Sequence, residues 1–201
     1  MCIKLIIAAA TRVSPRGGEF FADRAGTVAD LVSYVCMTTE TATKSAEKCA
    51  MDGKTKILFL CHGNICRSPM AEFVMKELVR SAGRDDIEVE SAALHTDEIG
   101  SDIHSGTRRK LLAEGIPFAP RRAWLLTAAK AREYDFLVGM DDYNIADLRR
   151  LVFPEDAGKI AKLLSFAGSA RDIADPWYTG DFDQTYADVL EGCTALLKSL
   201  Q

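Results

Sequence analysis

The segment ILFLCHGNICRSPMAE, Ile57 to Glu72, sets a thiol, a glycine, an arginine and a hydroxyl close together at Cys61, Gly63, Arg67 and Ser68. Attack on a phosphate ester needs three things: a nucleophile ionised near neutrality, a cradle for the dianion, and a proton for the leaving oxygen. A free thiol titrates near pH ~8.5, and lower where the sulfur sits at a helix N-terminus beside a guanidinium. Cys61 ends an apolar run just ahead of such a helix start. The backbone N–H groups from His62 through Gly63, Asn64, Ile65 and Cys66 to Arg67 can curl around three phosphate oxygens. Gly63 permits close approach or a positive φ. Arg67 can grip two oxygens with its planar fork. Ser68 can cap the helix and donate its hydroxyl to the thiolate, and Asn64 suits a left-handed position from which its amide braces the loop.

Those residues must be positioned by strands and helices, and from Lys54 onward the two signals alternate. KILFL is a continuous apolar strand of the buried parallel type. SPMAEFVMKELVRSAG reads as a helix, with Ser68 as N-cap, Pro69 in the first turn and Gly83 at its end. IEVESAA and YDFLVGM read as strands, and IAKLLSF as a fourth strand or extended segment. SGTRRKLLAEGI is a helix closed by Gly115, DDYNIADLRRLV a helix opened by acidic caps, and FDQTYADVLEGCTALLKSL a long terminal helix. Strand–helix alternation implies an α/β fold with a parallel sheet and helices on both faces, and ligands then sit beyond the carboxyl ends of the strands. The cysteine loop follows such an end.

Composition narrows the function classes. A formal charge of -4 and a pI near 5.5 give no reason to expect nucleic acid as a partner. No apolar run approaches the roughly 18 residues of a bilayer span, so no membrane association is expected. Six scattered cysteines do not make a disulfide framework in a chain of this length, which points to a reducing cytoplasm. Only Cys61 and Cys66 lie close, at a spacing that is not CxxC. With the histidines dispersed at 62, 95 and 104, no metal cluster is expected, and His95 reads as an exposed loop residue, with a place on the rim of the cleft as the alternative. Residues 1–53 lack the strand–helix alternation and read as an N-terminal extension, loosely ordered or partly helical, ahead of a domain over residues 54–201.

CHGNICRSPMAE resembles the signature of the low-molecular-weight protein tyrosine phosphatases, and the likeness runs from about Lys56 to Leu200. The resemblance implies a four-stranded parallel sheet, a Cys-x5-Arg phosphate-binding loop after the first strand, a phosphocysteine intermediate, and neither metal nor cofactor. Substrates would be phosphotyrosine-containing proteins or small aryl phosphates, with inorganic phosphate as product. It also implies a distant aspartate as general acid, which DPWYTGDF supplies as Asp175, with Pro176 stiffening the loop. Trp177 and Tyr178 match positions where the family carries aromatics and would wall the cleft. Asp141, in GMDDYN, matches an aspartate that organises the loop and its arginine; it also reads as a plain helix cap. Cys66 matches a second loop cysteine able to trap oxidised Cys61 as a disulfide, with simple packing as the alternative.

Two departures stand out. The segment APRRAWLL carries Arg121 and Arg122 where the family often has a histidine bonded to the loop asparagine and serine. The region around His95 lacks the cleft tryptophan of eukaryotic members. Three rivals share the resemblance. Arsenate reductases of this fold need further downstream cysteines, and none lies between Cys66 and Cys193. Arginine phosphatases carry threonine where Ile65 stands. A non-catalytic oxyanion-binding module would have no use for the complete set Cys61, Arg67, Ser68 and Asp175.

Overall fold

The computed structural model describes residues 53–201; the extension expected over residues 1–53 lies outside these but for its last residue. In chain order the elements are β1 (Thr55–Cys61), α1 (Arg67–Ser81), β2 (Ile87–Ala93), α2 (Ser105–Ala113), α3 (Ala128–Ala131), β3 (Phe136–Gly139), α4 (Asp142–Leu151), β4 (Ile160–Lys162), α5 (Pro176–Thr179) and α6 (Phe182–Ser199). The strands make one parallel sheet in the order β2-β1-β3-β4. β1 runs beside β2 from Thr55↔Ile87 to Cys61↔Ala93, and beside β3 from Ile57↔Phe136 to Leu60↔Gly139.

Successive side chains of a strand point to opposite faces, and β1 divides its apolar run accordingly. Ile57, Phe59 and Cys61 pack with Met70 and Val74 of α1 and Val189, Cys193 and Leu196 of α6. Leu58 and Leu60 pack on the other face with Leu126, Ala131, Leu148 and Val152. A strand covered on both sides needs an uninterrupted apolar sequence, which is why ILFL carries no alternation. α1 and α2 run out at the glycines expected to close them: Gly83 and Gly115 have φ of 65° and 68°, which only glycine adopts without cost.

The fourth strand is shorter than IAKLLSF suggests. Pairing stops at Lys162, and Leu163–Ala167 form a 3-10 turn. Leu163 and Leu164 are consecutive, fully buried and in the same core. A strand would send them to opposite faces, so the chain must turn to bury both.

Because β3 crosses to the far side of β1 from β2, the connections diverge at the carboxyl ends of β1 and β3 and leave a crevice there. The cysteine loop enters this crevice from β1 and Asp141 from β3.

Candidate active site

Cys61 ends β1 at 3% exposure, and residues 62–66 turn back before α1 begins at Arg67. The carbonyls of this loop are held from outside. His62 O accepts the N–H groups of Leu94 and His95 at 3.1 and 3.0 Å, and Ile65 O accepts that of His104 at 2.9 Å. Asn64 O accepts from Arg121 Nη1 at 3.0 Å, and Cys66 O from the Met70 N–H at 3.2 Å and the Thr107 hydroxyl at 3.4 Å. With the carbonyls of His62, Asn64, Ile65 and Cys66 engaged, the loop keeps its N–H groups for the interior. Among the described residues no hydrogen bond takes up those of Gly63, Asn64, Ile65 or Cys66. Asn64, with φ 58°, is the one non-glycine among them with a positive φ, the left-handed position its residue type suggested.

Arg67 is 3% exposed. Its Nη1 donates to Asp141 Oδ2 at 2.5 Å and to Ile173 O at 3.1 Å, and its Nη2 donates to Asp175 Oδ2 at 2.6 Å. Burial works against its charge, but Cys61, Asp175 and Asp141 outweigh it and hold the guanidinium above its ordinary value. Its Nε is buried and has no partner among the described residues. A donor left bare in this way is one that an anion in the crevice would satisfy.

Asp141 divides its oxygens: Oδ2 accepts from Arg67, and Oδ1 caps α4 by accepting from the Asn144 N–H at 2.7 Å. Asp175 is divided the same way, since Oδ1 caps α5 by accepting from the Trp177 N–H at 3.1 Å. Ser68 departs from its expected place. The N-cap of α1 is Cys66, which makes no side-chain cap bond, and Ser68 lies inside the first turn. Its hydroxyl is thereby free to sit 3.1 Å from Cys61 Sγ.

The direction of that contact follows from residues behind the loop. Arg121 Nη2 donates to Asn64 Oδ1 and to Ser91 O. An arginine has no acceptor, so the Asn64 amide must turn its NH2 toward Ser68 Oγ (2.8 Å) and Ser91 Oγ (2.9 Å). Ser68 accepts there and keeps its own hydrogen for the sulfur. Ser91 passes its hydrogen to Glu72 Oε2 at 2.6 Å, and Lys76 Nζ donates to Glu72 Oε1 at 2.5 Å. Burial pulls Arg121 below its ordinary value while the nearby Glu72 and Cys61 support its charge. Of the two arginines in APRRAWLL, Arg121 thus occupies the network, and exposed Arg122 bonds Gly100 O instead. Glu72 and Ser91 escaped the sequence reading, although a signal existed. Ser91 continues the buried phase of Ile87 and Val89, and Glu72 follows Ser68 by one helical turn. Replacing Arg121 with methionine keeps the bulk and deletes every donor. We expect a loss of roughly 2–4 kcal/mol in urea unfolding, with weaker inhibition by inorganic phosphate. Unchanged values of both would remove the network from loop support.

Cys66 is buried, and desolvation, with the charges of Cys61 and Asp175, pushes its thiol up to about 12. It is protonated throughout the neutral range.

The crevice holds about 500 Å³ and its mouth includes Trp177 and Tyr178, 56% and 85% exposed, as well as Tyr143 of α4, which sequence reading did not single out. His104 meets Trp177 edge-on at 5.7 Å and stacks on Phe182 at 5.3 Å. The histidines are not all dispersed: the rings of His62 and His95 stack at 4.2 Å, so His95 is not simply an exposed loop residue. Their ligand atoms and a carboxylate oxygen of Asp97 lie within 4.8 Å of one another, but each Nε2 already bonds a carboxylate, Asp97 for His62 and Asp147 for His95.

The model of the family described as low molecular weight phosphotyrosine protein phosphatase matches residues 56–201. The low molecular weight protein-tyrosine-phosphatase YfkJ of Bacillus subtilis is 35% identical over 148 residues, covering 72% of this chain and 95% of that protein. PtpA of Staphylococcus aureus is 34% identical over 142 residues, covering 70% and 90%. The crystal structure of YfkJ superposes with a TM-score of 0.72 at 34% identity, over 76% of this chain and 98% of that one. DARP, a Drosophila arginine phosphatase, gives 0.68 at 29% identity, over 73% and 98%.

Proposed function

This chain belongs to the low molecular weight phosphotyrosine protein phosphatase family, and on that premise we propose that it hydrolyses phosphotyrosine in proteins, and small aryl phosphates, through a phosphocysteine on Cys61. The thiolate attacks phosphorus in line, forming the S–P bond as the P–O bond to the aryl group breaks. Asp175 delivers its proton to the departing oxygen, so that a phenol leaves. Water then attacks the phosphocysteine, Asp175 takes back a proton, and the S–P bond breaks to release inorganic phosphate and the thiolate. The inward N–H groups and Arg67 neutralise the equatorial oxygens in both steps. A dianion entering the cradle competes with Asp175 for the guanidinium and sets like charge beside that carboxylate, the condition that favours its protonation.

The observation that supports this reading most is the buried Arg67 with its Nε unpartnered among the described residues, at the end of a loop whose N–H groups at Gly63, Asn64, Ile65 and Cys66 take no partner there. Choice of the aryl ester rests on the lining: apolar Ile65 offers no hydrogen bond to a phosphorylated guanidinium, and Trp177 and Tyr178 present ring faces. The arsenate reductase alternative lacks a relay, because the other described cysteine, Cys193, is wholly buried and its thiol is pushed up by that burial. We place the activity in the cytoplasm, where a thiol nucleophile stays reduced; no helix among the described residues is long and apolar enough to cross a membrane. The test is initial rates on phosphotyrosine, phosphoserine and phosphoarginine peptides of matched sequence. Phosphotyrosine should be turned over well ahead of both others, and faster hydrolysis of phosphoarginine would overturn the assignment.

A further inference from the structure

A pocket for a dianion is an unfavourable place for a carboxylate, yet three line this one besides Asp141 and Asp175: Asp97, Glu98 and Asp147. Two are accounted for. Asp97 pairs with His62 at 3.0 Å, and Asp147 with His95 and Arg150, both at 2.9 Å. Glu98 has no side-chain hydrogen bond or ion pair among the described residues, and no lysine, nor any arginine but Arg67, is among the residues lining the crevice.

Glu98 is also held in place. Its Cβ and Cγ lie against Gly63 of the phosphate loop, 3.2 and 3.0 Å from where a Cβ on that glycine would stand. The turn that carries it is pinned on both sides, by the Ile99 N–H on Thr96 O and the Ser101 N–H on Glu98 O, and by the Gly100 N–H on Ala123 O. A substrate that brings only negative charge meets repulsion from this group. A substrate that brings a cation next to its phosphate gains an ion pair that nothing in the free protein competes for.

We propose that Glu98 is a specificity-determining residue that selects phosphotyrosine flanked by lysine or arginine. This rests on the phosphotyrosine reading above and deepens it. The flanking ammonium or guanidinium lies at the mouth of the crevice and pairs with the Glu98 carboxylate while the ring and phosphate fill the cradle.

The experiment compares kcat/KM for matched phosphotyrosine peptides carrying lysine, alanine or glutamate beside the phosphotyrosine, each normalised to the same protein's rate on an unflanked aryl phosphate. Wild type should favour the lysine peptide over the alanine one by about three- to fivefold, the range of an exposed ion pair, and the advantage should shrink in high salt. Glu98→Gln should bring the two peptides toward parity, and Glu98→Lys should reverse the order. Equal rates on all three peptides in wild type, or the same lysine preference in Glu98→Gln, would overturn the proposal. The two readings fail separately: loss of the phosphotyrosine assignment appears as no Cys61-dependent turnover of the aryl phosphate, whereas failure of Glu98 selection leaves that turnover intact and blind to the flanks.

Discussion

Cys61→Ser should turn over no measurable aryl phosphate, a loss of at least about 10⁴-fold, while folding normally and still binding inorganic phosphate. Serine preserves the volume at a buried strand end, so β1 and its packing on α1 are undisturbed. What it removes is the sulfur that Ser68 faces at 3.1 Å, the proposed nucleophile, and a serine hydroxyl is a far weaker one at neutral pH. No neighbour can substitute. Burial pushes the Cys66 thiol up to about 12, and Cys193 is buried in the core against α1. The measurement is steady-state hydrolysis alongside phosphate binding by calorimetry. Residual activity above about one per cent of wild type would refute the covalent route, and loss of phosphate binding together with activity would place Cys61 in the architecture of the loop instead.

The second large effect belongs to Asp175. Changing it to asparagine leaves one acceptor oxygen where Asp175 uses two, so only one of the bonds from Arg67 Nη2 and the Trp177 N–H is kept, and unchanged inhibition by inorganic phosphate is the check that the loop keeps its position. The substitution deletes the transferable proton. General acids of this kind contribute about 10²–10⁴-fold, and the whole of that loss should fall on esters whose leaving oxygen needs the proton. We therefore expect phenyl phosphate to slow by at least ~10²-fold and nitrophenyl phosphate by much less, steepening the dependence of rate on leaving-group pKa. A second consequence concerns the hydrolysis of the intermediate. Without a base to take the water's proton, phosphocysteine should accumulate and be trappable by rapid acid quench. A uniform loss across leaving groups would remove Asp175 from proton transfer.

How much of this was legible in residues alone depended on the range of the interactions. The loop from Cys61 to Ser68 is local, and the anion cradle we propose for it rests on a strand end, a glycine, a left-handed asparagine and a helix start within eight consecutive residues. Asp175 was legible through the family likeness, because an Asp-Pro pair by itself is a common turn. The groups that escaped, Glu72 and Ser91, act at a distance of one helical turn and one neighbouring strand, and their residue types have many ordinary uses. Arg121 was visible as an oddity in APRRAWLL, but nothing in that segment distinguishes it from Arg122. The two differ only in which faces the back of the loop. Ser68 was misplaced by two residues, since the N-cap is Cys66 and capping preference is a weak local bias, whereas the placing of a hydroxyl next to the sulfur is tertiary.

By itself, then, the chain's order of residues determined the alternation that makes a parallel sheet and the strand buried on both faces, and it pointed to the nucleophile and cradle we propose. Tertiary structure alone decided the polarity of the bonds behind the sulfur, the stacking of His62 on His95 across thirty-three positions, and the lack of a partner for Glu98 among the described residues that line the crevice. The division has a physical origin. Backbone conformation and burial periodicity are set by neighbours along the chain, whereas the direction of a hydrogen bond and the pairing of a charge depend on which donor or acceptor the fold brings opposite, and that partner is named nowhere in the local sequence.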